Sequence, residues 1–256
     1  MSTPTEVAPR RDAPPYQPGE TVALFIPCYI DQFYPEIGKA TAELLRRQGC
    51  PVVFPEEQTC CGQPAFNSGY WDESRGVIRH FARTFAKHRW IVCPSGSCAA
   101  MCRVFFGHVD PDEQVIDVGR RVFELTEFLV DILGATDVGA RFPHKVTLHI
   151  GCHGRRELGL GDQPLRLLQA VRDLEYVELP NTEECCGFGG TFSVKMPGTS
   201  IAMGQTKAEN VLRTGAEVVA SRDVSCLMHF GGIMERIAAM KHIRTMHIAE
   251  LLNHHA

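Results

Sequence analysis

The chain has 256 residues, 44% of them hydrophobic and 22% charged, with a formal net charge of −4. Such a length buries a substantial core, as one large domain or as two of roughly 100 to 150 residues each. The charge balance gives no electrostatic footprint for nucleic acid, and apolar runs such as residues 22–26 fall far short of the roughly 20 residues needed to span a bilayer.

Residues 1–20 contain Pro4, Pro9, Pro14, Pro15 and Pro18 and several charges, without the apolar stretch of an export signal, and read as a flexible leader. Eleven cysteines are then expected in a reducing cytoplasm, where metal binding or redox chemistry suits them better than disulfides. Their odd number also argues against complete pairing.

Residues 21–28 read as a short buried strand closed by proline, which leaves Cys28 at its carboxyl end. Residues 34–48 place Ile37, Ala40, Leu44 and Leu45 on one helical face, with Gly49 as the stop, and residues 51–54 form a second strand. After Thr59-Cys60-Cys61-Gly62-Gln63-Pro64, the spacing of Val77, Ile78, Phe81 and Phe85 predicts a helix over 73–88, and residues 90–93 a third strand. Residues 94–98 lead into a helix running through Phe106, and residues 118–133 read as another amphipathic helix.

The second half repeats the first. Residues 145–152 correspond to 21–28 at an offset of 124, Val177 and Pro180 to Val52 and Pro55 at 125, and Cys185-Cys186-Gly187 to Cys60-Cys61-Gly62 at 125. Ser225-Cys226 matches Ser97-Cys98 at 128, and residues 248–252 match 125–129 at 123. The expected fold is therefore α/β and internally duplicated, with two parallel-sheet lobes carrying helices on their faces and related by pseudo-two-fold symmetry. The domain boundaries expected from this are 21–140 and 141–256, after the leader.

Each half offers a cysteine after its first strand, a Cys-Cys-Gly loop after its second and a Ser-Cys opening the helix after its third. All lie at strand carboxyl ends, where open α/β sheets place ligands, so each half gathers four thiolates: Cys28, Cys60, Cys61 and Cys98, then Cys152, Cys185, Cys186 and Cys226. Four thiolates suit an iron-sulfur cluster or a structural zinc. Glycine-rich loops such as Gly187-Phe188-Gly189-Gly190 aim backbone N–H groups at sulfur and offset its charge.

Cys93 and Cys102 flank Cys98, and either is a candidate extra or substitute ligand, with core packing the other reading of Cys93; His153 and His229 adjoin ligands and are candidates for metal contact or a supporting role beside it. Cys50 reads as core packing, and the pairs Glu56-Glu57 and Glu183-Glu184 as solvated loop charges. No Gly-x-Gly-x-x-Gly follows a strand, so no flavin or nicotinamide is expected on this chain. The spare thiols Cys93 and Cys102 point to the first half as the redox-active one, whereas the second, with four thiolates and a richer glycine loop, also suits zinc.

The cysteine spacings, with Phe54-Pro55, residues 60–70, 94–98 and 185–196 and Cys226-Leu227-Met228, resemble the cysteine-rich CCG-domain family, which includes the cysteine-rich component of heterodisulfide reductase and the iron-sulfur component of glycolate oxidase. Within it they most resemble the lactate utilisation protein A family. The resemblance implies a 4Fe-4S electron-transfer subunit of a cytoplasmic complex oxidising L-lactate to pyruvate, an oxidoreductase acting only beside a ferredoxin-like iron-sulfur subunit and a third small subunit. In heterodisulfide reductase the full motif ends in Cys-x-x-Cys; here Cys98 and Cys102 are one residue further apart, and Met228 or His229 replaces the second member in the second half. The alternatives are a structural zinc scaffold, or iron-sulfur in one half and zinc in the other.

Overall fold

The computed structural model describes residues 14–255. Most of the expected leader lies outside the described residues. From Tyr16 the chain is packed, with the Tyr16 ring 5.8 Å from that of Trp90 and 6.0 Å from that of Phe128.

In the first half β1 (Val22–Leu24) leads to α1 (Cys28–Phe33) and α2 (Pro35–Arg47), then β2 (Val52–Val53), α3 (Gln63–Asn67), α4 (Trp71–Phe85) and β3 (Trp90–Cys93). It closes with α5 (Gly96–Ala100), a π-helical turn (Met101–Phe105), α6 (Phe106–Val109), α7 (Glu113–Arg120), β4 (Val122–Glu124) and α8 (Leu125–Glu127), which continues as a second π-helical turn (Phe128–Ile132). In the second half β5 (Lys145–His149) is followed by α9 (Cys152–Arg156), α10 (Gln163–Gln169), β6 (Glu175–Val177), α11 (Phe192–Lys195) and α12 (Pro197–Thr214). Then come β7 (Val218–Ser221), α13 (Val224–Met234), β8 (Arg244–His247) and α14 (Ile248–Leu252).

The strands form two all-parallel sheets in the orders β2-β1-β3-β4 and β6-β5-β7-β8, the expected duplicated α/β architecture. Sequence spacing misled at one place. Residues 118–133 are not one helix but the end of α7, the strand β4, and α8 with its π turn. Val118, Val122, Leu125 and Leu129 have helical spacing, and β4 is buried on both faces, so it shows none of the alternation that marks a half-buried strand. Glu124 starts the new helix: its carboxylate accepts from the N–H groups of Thr126 and Glu127 in a reciprocal capping box. The edge strand β8 also carried no pattern that announced it.

The two sheets share one core. Val22, Leu24, Leu44 and Leu45 of the first half and Val146, Leu148, Leu251 and Leu252 of the second belong to a single buried cluster. Each such side chain contributes roughly 1.5–3 kcal/mol. The exchange is reciprocal: α14 packs on α2, while α8 and its π turn pack on α10, so the last helix of each half covers the second helix of the other.

Candidate metal centre

Each sheet runs outward in both directions from its central strands, and loops leaving their carboxyl ends diverge and open a crevice. Cys28 and Cys152 open α1 and α9 after the central strands β1 and β5. Cys98 and Cys226 lie in the first turns of α5 and α13 after β3 and β7. The Cys-Cys-Gly loops follow β2 and β6. Ser95 caps α5, its hydroxyl accepting from the Cys98 N–H at 3.3 Å.

Both loops turn on a glycine in the left-handed region, Gly62 at φ +83° and Gly187 at φ +89°. A Cβ on Gly187 would meet the Ser200 carbonyl at 2.6 Å, and one on Gly62 the Ser74 hydroxyl at 2.9 Å. The same serines lock the turns: Ser74 Oγ donates to the Gly62 carbonyl at 3.2 Å and Ser200 Oγ to that of Gly187 at 2.8 Å. The turn then aims N–H groups at sulfur, from Gly62 to Cys60 Sγ at 3.3 Å, Gly187 to Cys185 Sγ at 3.4 Å and Phe188 to Cys186 Sγ at 3.5 Å.

The two quartets do not have separate clefts. Cys28, Cys60, Cys61 and Cys98 face Cys152, Cys185, Cys186 and Cys226 across one cavity of about 300 Å³. Its walls are tied across the halves. Asp223 Oδ1 accepts from Ser97 N–H at 2.8 Å and from Ser95 Oγ at 3.1 Å, Ser68 Oγ donates to Thr191 Oγ1 at 3.0 Å, and the Tyr29 and Phe188 rings meet at 5.8 Å. Asp223 is buried and lines the cavity, and its other oxygen has no hydrogen-bond partner.

Within each quartet the thiols share protons. Cys28 Sγ lies 3.9 Å from Cys60 Sγ. Hydrogen bonds from Cys28 and then Cys61, helped by the Gly62 N–H, hold Cys60 down at about 3. Cys152 and Cys186, with the Gly187 N–H, do the same for Cys185, at about 2. Cys28 and Cys61 are pushed up first by Cys60, as Cys152 and Cys186 are by Cys185, and burial adds to each. A thiolate at neutral pH with further thiols in contact is a ready soft-metal donor set. The residues therefore fit a four-thiolate group in each half.

The other sequence candidates are spread over the core and the cavity wall. Cys93 and Cys102 are fully buried in the first-half core, and burial raises both thiols. Cys50 sits in the shared core. His153 lines the cavity, its Nδ1 3.5 Å from Glu157, whereas His229 Nε2 lies 3.1 Å from the Ser200 carbonyl. Glu184 accepts from Asn210 at 2.9 Å, and Glu183 pairs with Arg155.

Sequence reasoning missed Ser74, Ser200, Asp223 and above all His149. At the repeat offset of 124 His149 stands where the first half has Phe25. A polar residue in a buried strand, three residues before a ligand, was the available signal. It is 1% exposed, and one of its ring nitrogens and the sulfurs of Cys186 and Cys226 all lie within 4.8 Å of one another.

Fold and site together define a duplicated cysteine-rich α/β protein with two thiol sets on one cavity. The Cysteine-rich domain (CCG) profile matches it twice, at residues 22–103 and 146–231. The chain is 48% identical over 237 residues to lactate utilization protein A of Geobacillus thermodenitrificans, which covers 91% of this chain and 98% of that one. It is 46% identical over 236 residues to the Bacillus subtilis protein of the same name, covering 91% and 98%. The chain belongs to the lactate utilization protein A family of CCG-domain proteins. A crystal structure of a hypothetical protein from Helicobacter pylori shares the fold, with a TM-score of 0.56 at 10% identity over 94% of this chain and 49% of that one.

Proposed function

We propose that this chain is an iron-sulfur electron-transfer subunit of a cytoplasmic multi-subunit system that oxidises L-lactate to pyruvate. The carrying observation is the pair of thiol quartets facing each other across one cavity. Its relatives' name supplies the metabolic setting. Lactate oxidation releases two electrons and two protons, and two one-electron carriers on one cavity match that number. When bound, a 4Fe-4S cluster in a quartet would supply one-electron transfer.

The chain's own residues do the rest. The eight cysteines hold the groups, the Gly62, Gly187 and Phe188 N–H groups offset negative charge on sulfur, and Asp223 ties the two walls together by accepting from Ser97 and Ser95. Electrons would pass to or from a ferredoxin-like iron-sulfur subunit, with a third small subunit completing the complex. Among the described residues no helix is long and apolar enough to cross a membrane.

Anaerobic purification with iron, zinc and acid-labile sulfide analysis tests this reading. Iron with matching sulfide is expected, and zinc without sulfide would overturn it. One observation favours a second reading, zinc in the second half only: His149 beside Cys186 and Cys226 makes a mixed nitrogen-sulfur donor set of the kind zinc accepts. Iron and sulfide for one centre plus one zinc would establish that form.

A further inference from the structure

We propose that His149 is a ligand of the second-half metal centre, so that this centre is a mixed nitrogen-sulfur site while its first-half counterpart is all-sulfur. The proposal rests on the reading of the quartets as metal-holding, and it specifies the donor set that this reading leaves open.

Three observations carry it. A ring nitrogen of His149 and the sulfurs of Cys186 and Cys226 lie within 4.8 Å of one another, a spacing that a single ion or one cluster corner spans once the side chains settle on it. The imidazole is 1% exposed, and neither ring nitrogen has a nitrogen or oxygen partner among the described residues. A buried imidazole normally satisfies at least one nitrogen with an oxygen or nitrogen partner; this one turns instead to the Cys226 sulfur, which places it as a donor beside two thiols. Finally, the repeat makes its own control. Phe25 occupies the equivalent strand position and packs edge-on against Phe81 at 4.8 Å, so the scaffold does not require a histidine there.

The second half has no cysteine at the place matching Cys102. Phe230 stands at the matching place, 128 residues on, and its ring meets His149 at 5.3 Å. The second half thus presents its fifth donor from the strand β5, whereas the spare thiols of the first half lie on β3 and the π turn after α5.

The test uses metal-free full-length protein titrated anaerobically with Co²⁺, which reports ligand type whether the resident metal is iron or zinc. In protein carrying [¹⁵N]histidine, the cobalt site should show sulfur-to-metal charge-transfer bands and a ¹⁵N hyperfine coupling. His149→Phe should remove the coupling and weaken cobalt affinity by about tenfold or more. His149→Cys should remove the coupling yet recover the affinity. The melting temperature of each metal-free variant reports whether its fold is intact. Charge-transfer bands without nitrogen coupling in the unsubstituted protein, or a coupling that survives His149→Phe, would overturn the proposal alone. Absence of the bands altogether would overturn the metal-holding reading with it.

Discussion

The two halves place their thiols alike and differ in what lies behind them. Behind the first quartet the wall is aromatic and thiol-rich: Phe25 packs on Phe81 at 4.8 Å, and Cys93 and Cys102 fill the adjoining core. The second half has His149 in place of Phe25 and, at the offset of 126 that relates Ser74 to Ser200, Lys207 in place of Phe81. Lys207 is fully buried, its Nζ donating to the Asn181 carbonyl at 2.8 Å. Burial lowers its pKa, while Glu184 and the thiolates of Cys186, Cys185 and Cys226 work to keep it charged. Duplication thus kept the thiols, held by backbone turns, and let the residues behind them diverge. A buried cation and an imidazole favour added negative charge, so in the proposed electron-transfer role the second half would hold the better electron acceptor and the first half the stronger donor.

Removing one thiol from either quartet has the largest expected effect, because metal-binding free energy is also folding free energy here. Cys61→Ser should lose the metal of the first half and Cys186→Ser that of the second, each with a large drop in stability. Cys50→Ser, in the shared core, should leave metal content unchanged. If either cysteine variant empties both halves, the centres are one unit and the comparison collapses. In the reconstituted complex, Cys98→Ser and Cys226→Ser should each abolish lactate-dependent reduction of an acceptor at matched folded-protein concentration; activity that survives in a folded Cys226→Ser would confine electron transfer to the first half, and activity that survives in Cys98→Ser would confine it to the second.

The helix caps of the two halves also diverge, with opposite consequences for pH. Glu124 and His247 stand at equivalent positions, 123 residues apart, and both are buried N-caps. His247 Nε2 lies 3.0 Å from the carbonyls of Pro94 and Arg222, and burial lowers its pKa from 6.5 to about 4. Its contribution to stability is complete above pH 6.5 and lost as pH falls toward 4, about 3 kcal/mol in all. Burial instead raises Glu124 from 4.5 to about 7, so its contribution is complete below pH 4.5 and lost as pH rises through 7. Urea unfolding of metal-free protein at several pH values should show His247→Asn losing less stability than the unsubstituted chain as pH falls from 6.5 toward 4, and Glu124→Gln losing less as pH rises from 4.5 through 7. A difference that does not move with pH would refute the linkage.

Much of this was legible in the chain because duplication made position informative. The eight thiols recur at near-constant offsets, so their convergence followed from strand order alone. What stayed hidden was set by tertiary packing. Residues 122–124 lost their strand signature because both faces are buried, and the meeting of both thiol sets on one cavity depends on how the sheets meet, through ties such as Asp223 to Ser97 that no local pattern encodes. His149 was legible in principle, as the polar partner of Phe25, but its nearness to Cys186 and Cys226 arises in space and not in sequence, unlike that of His153 to Cys152.

The cation behind the second quartet gives a smaller effect. Lys207→Met should lower the reduction potential of the second-half centre while leaving the first unchanged, since removing a positive charge makes electron addition less favourable. At an effective dielectric near 20 the loss is roughly 1–2 kcal/mol, about 40–90 mV for one electron. A redox titration followed by electron paramagnetic resonance resolves the two centres; an equal fall in both would show that Lys207 acts on the shared cavity and not on its own half.

The smallest expected difference concerns the serine locks. Ser200 Oγ donates to the Gly187 carbonyl at 2.8 Å and lies 3.3 Å from His229 Nε2, whereas Ser74 Oγ reaches the Gly62 carbonyl only at 3.2 Å. Alanine at either position orphans a buried loop carbonyl, and at position 200 it also takes a neighbour from His229. Net hydrogen-bond contributions are about 0.5–1.5 kcal/mol, so Ser200→Ala should cost near the upper figure and Ser74→Ala near the lower. The measurement is urea unfolding of metal-free protein, where metal affinity cannot mask the turn. Ser74→Ala costing as much as Ser200→Ala would mean that the second-half turn is no more firmly set than the first.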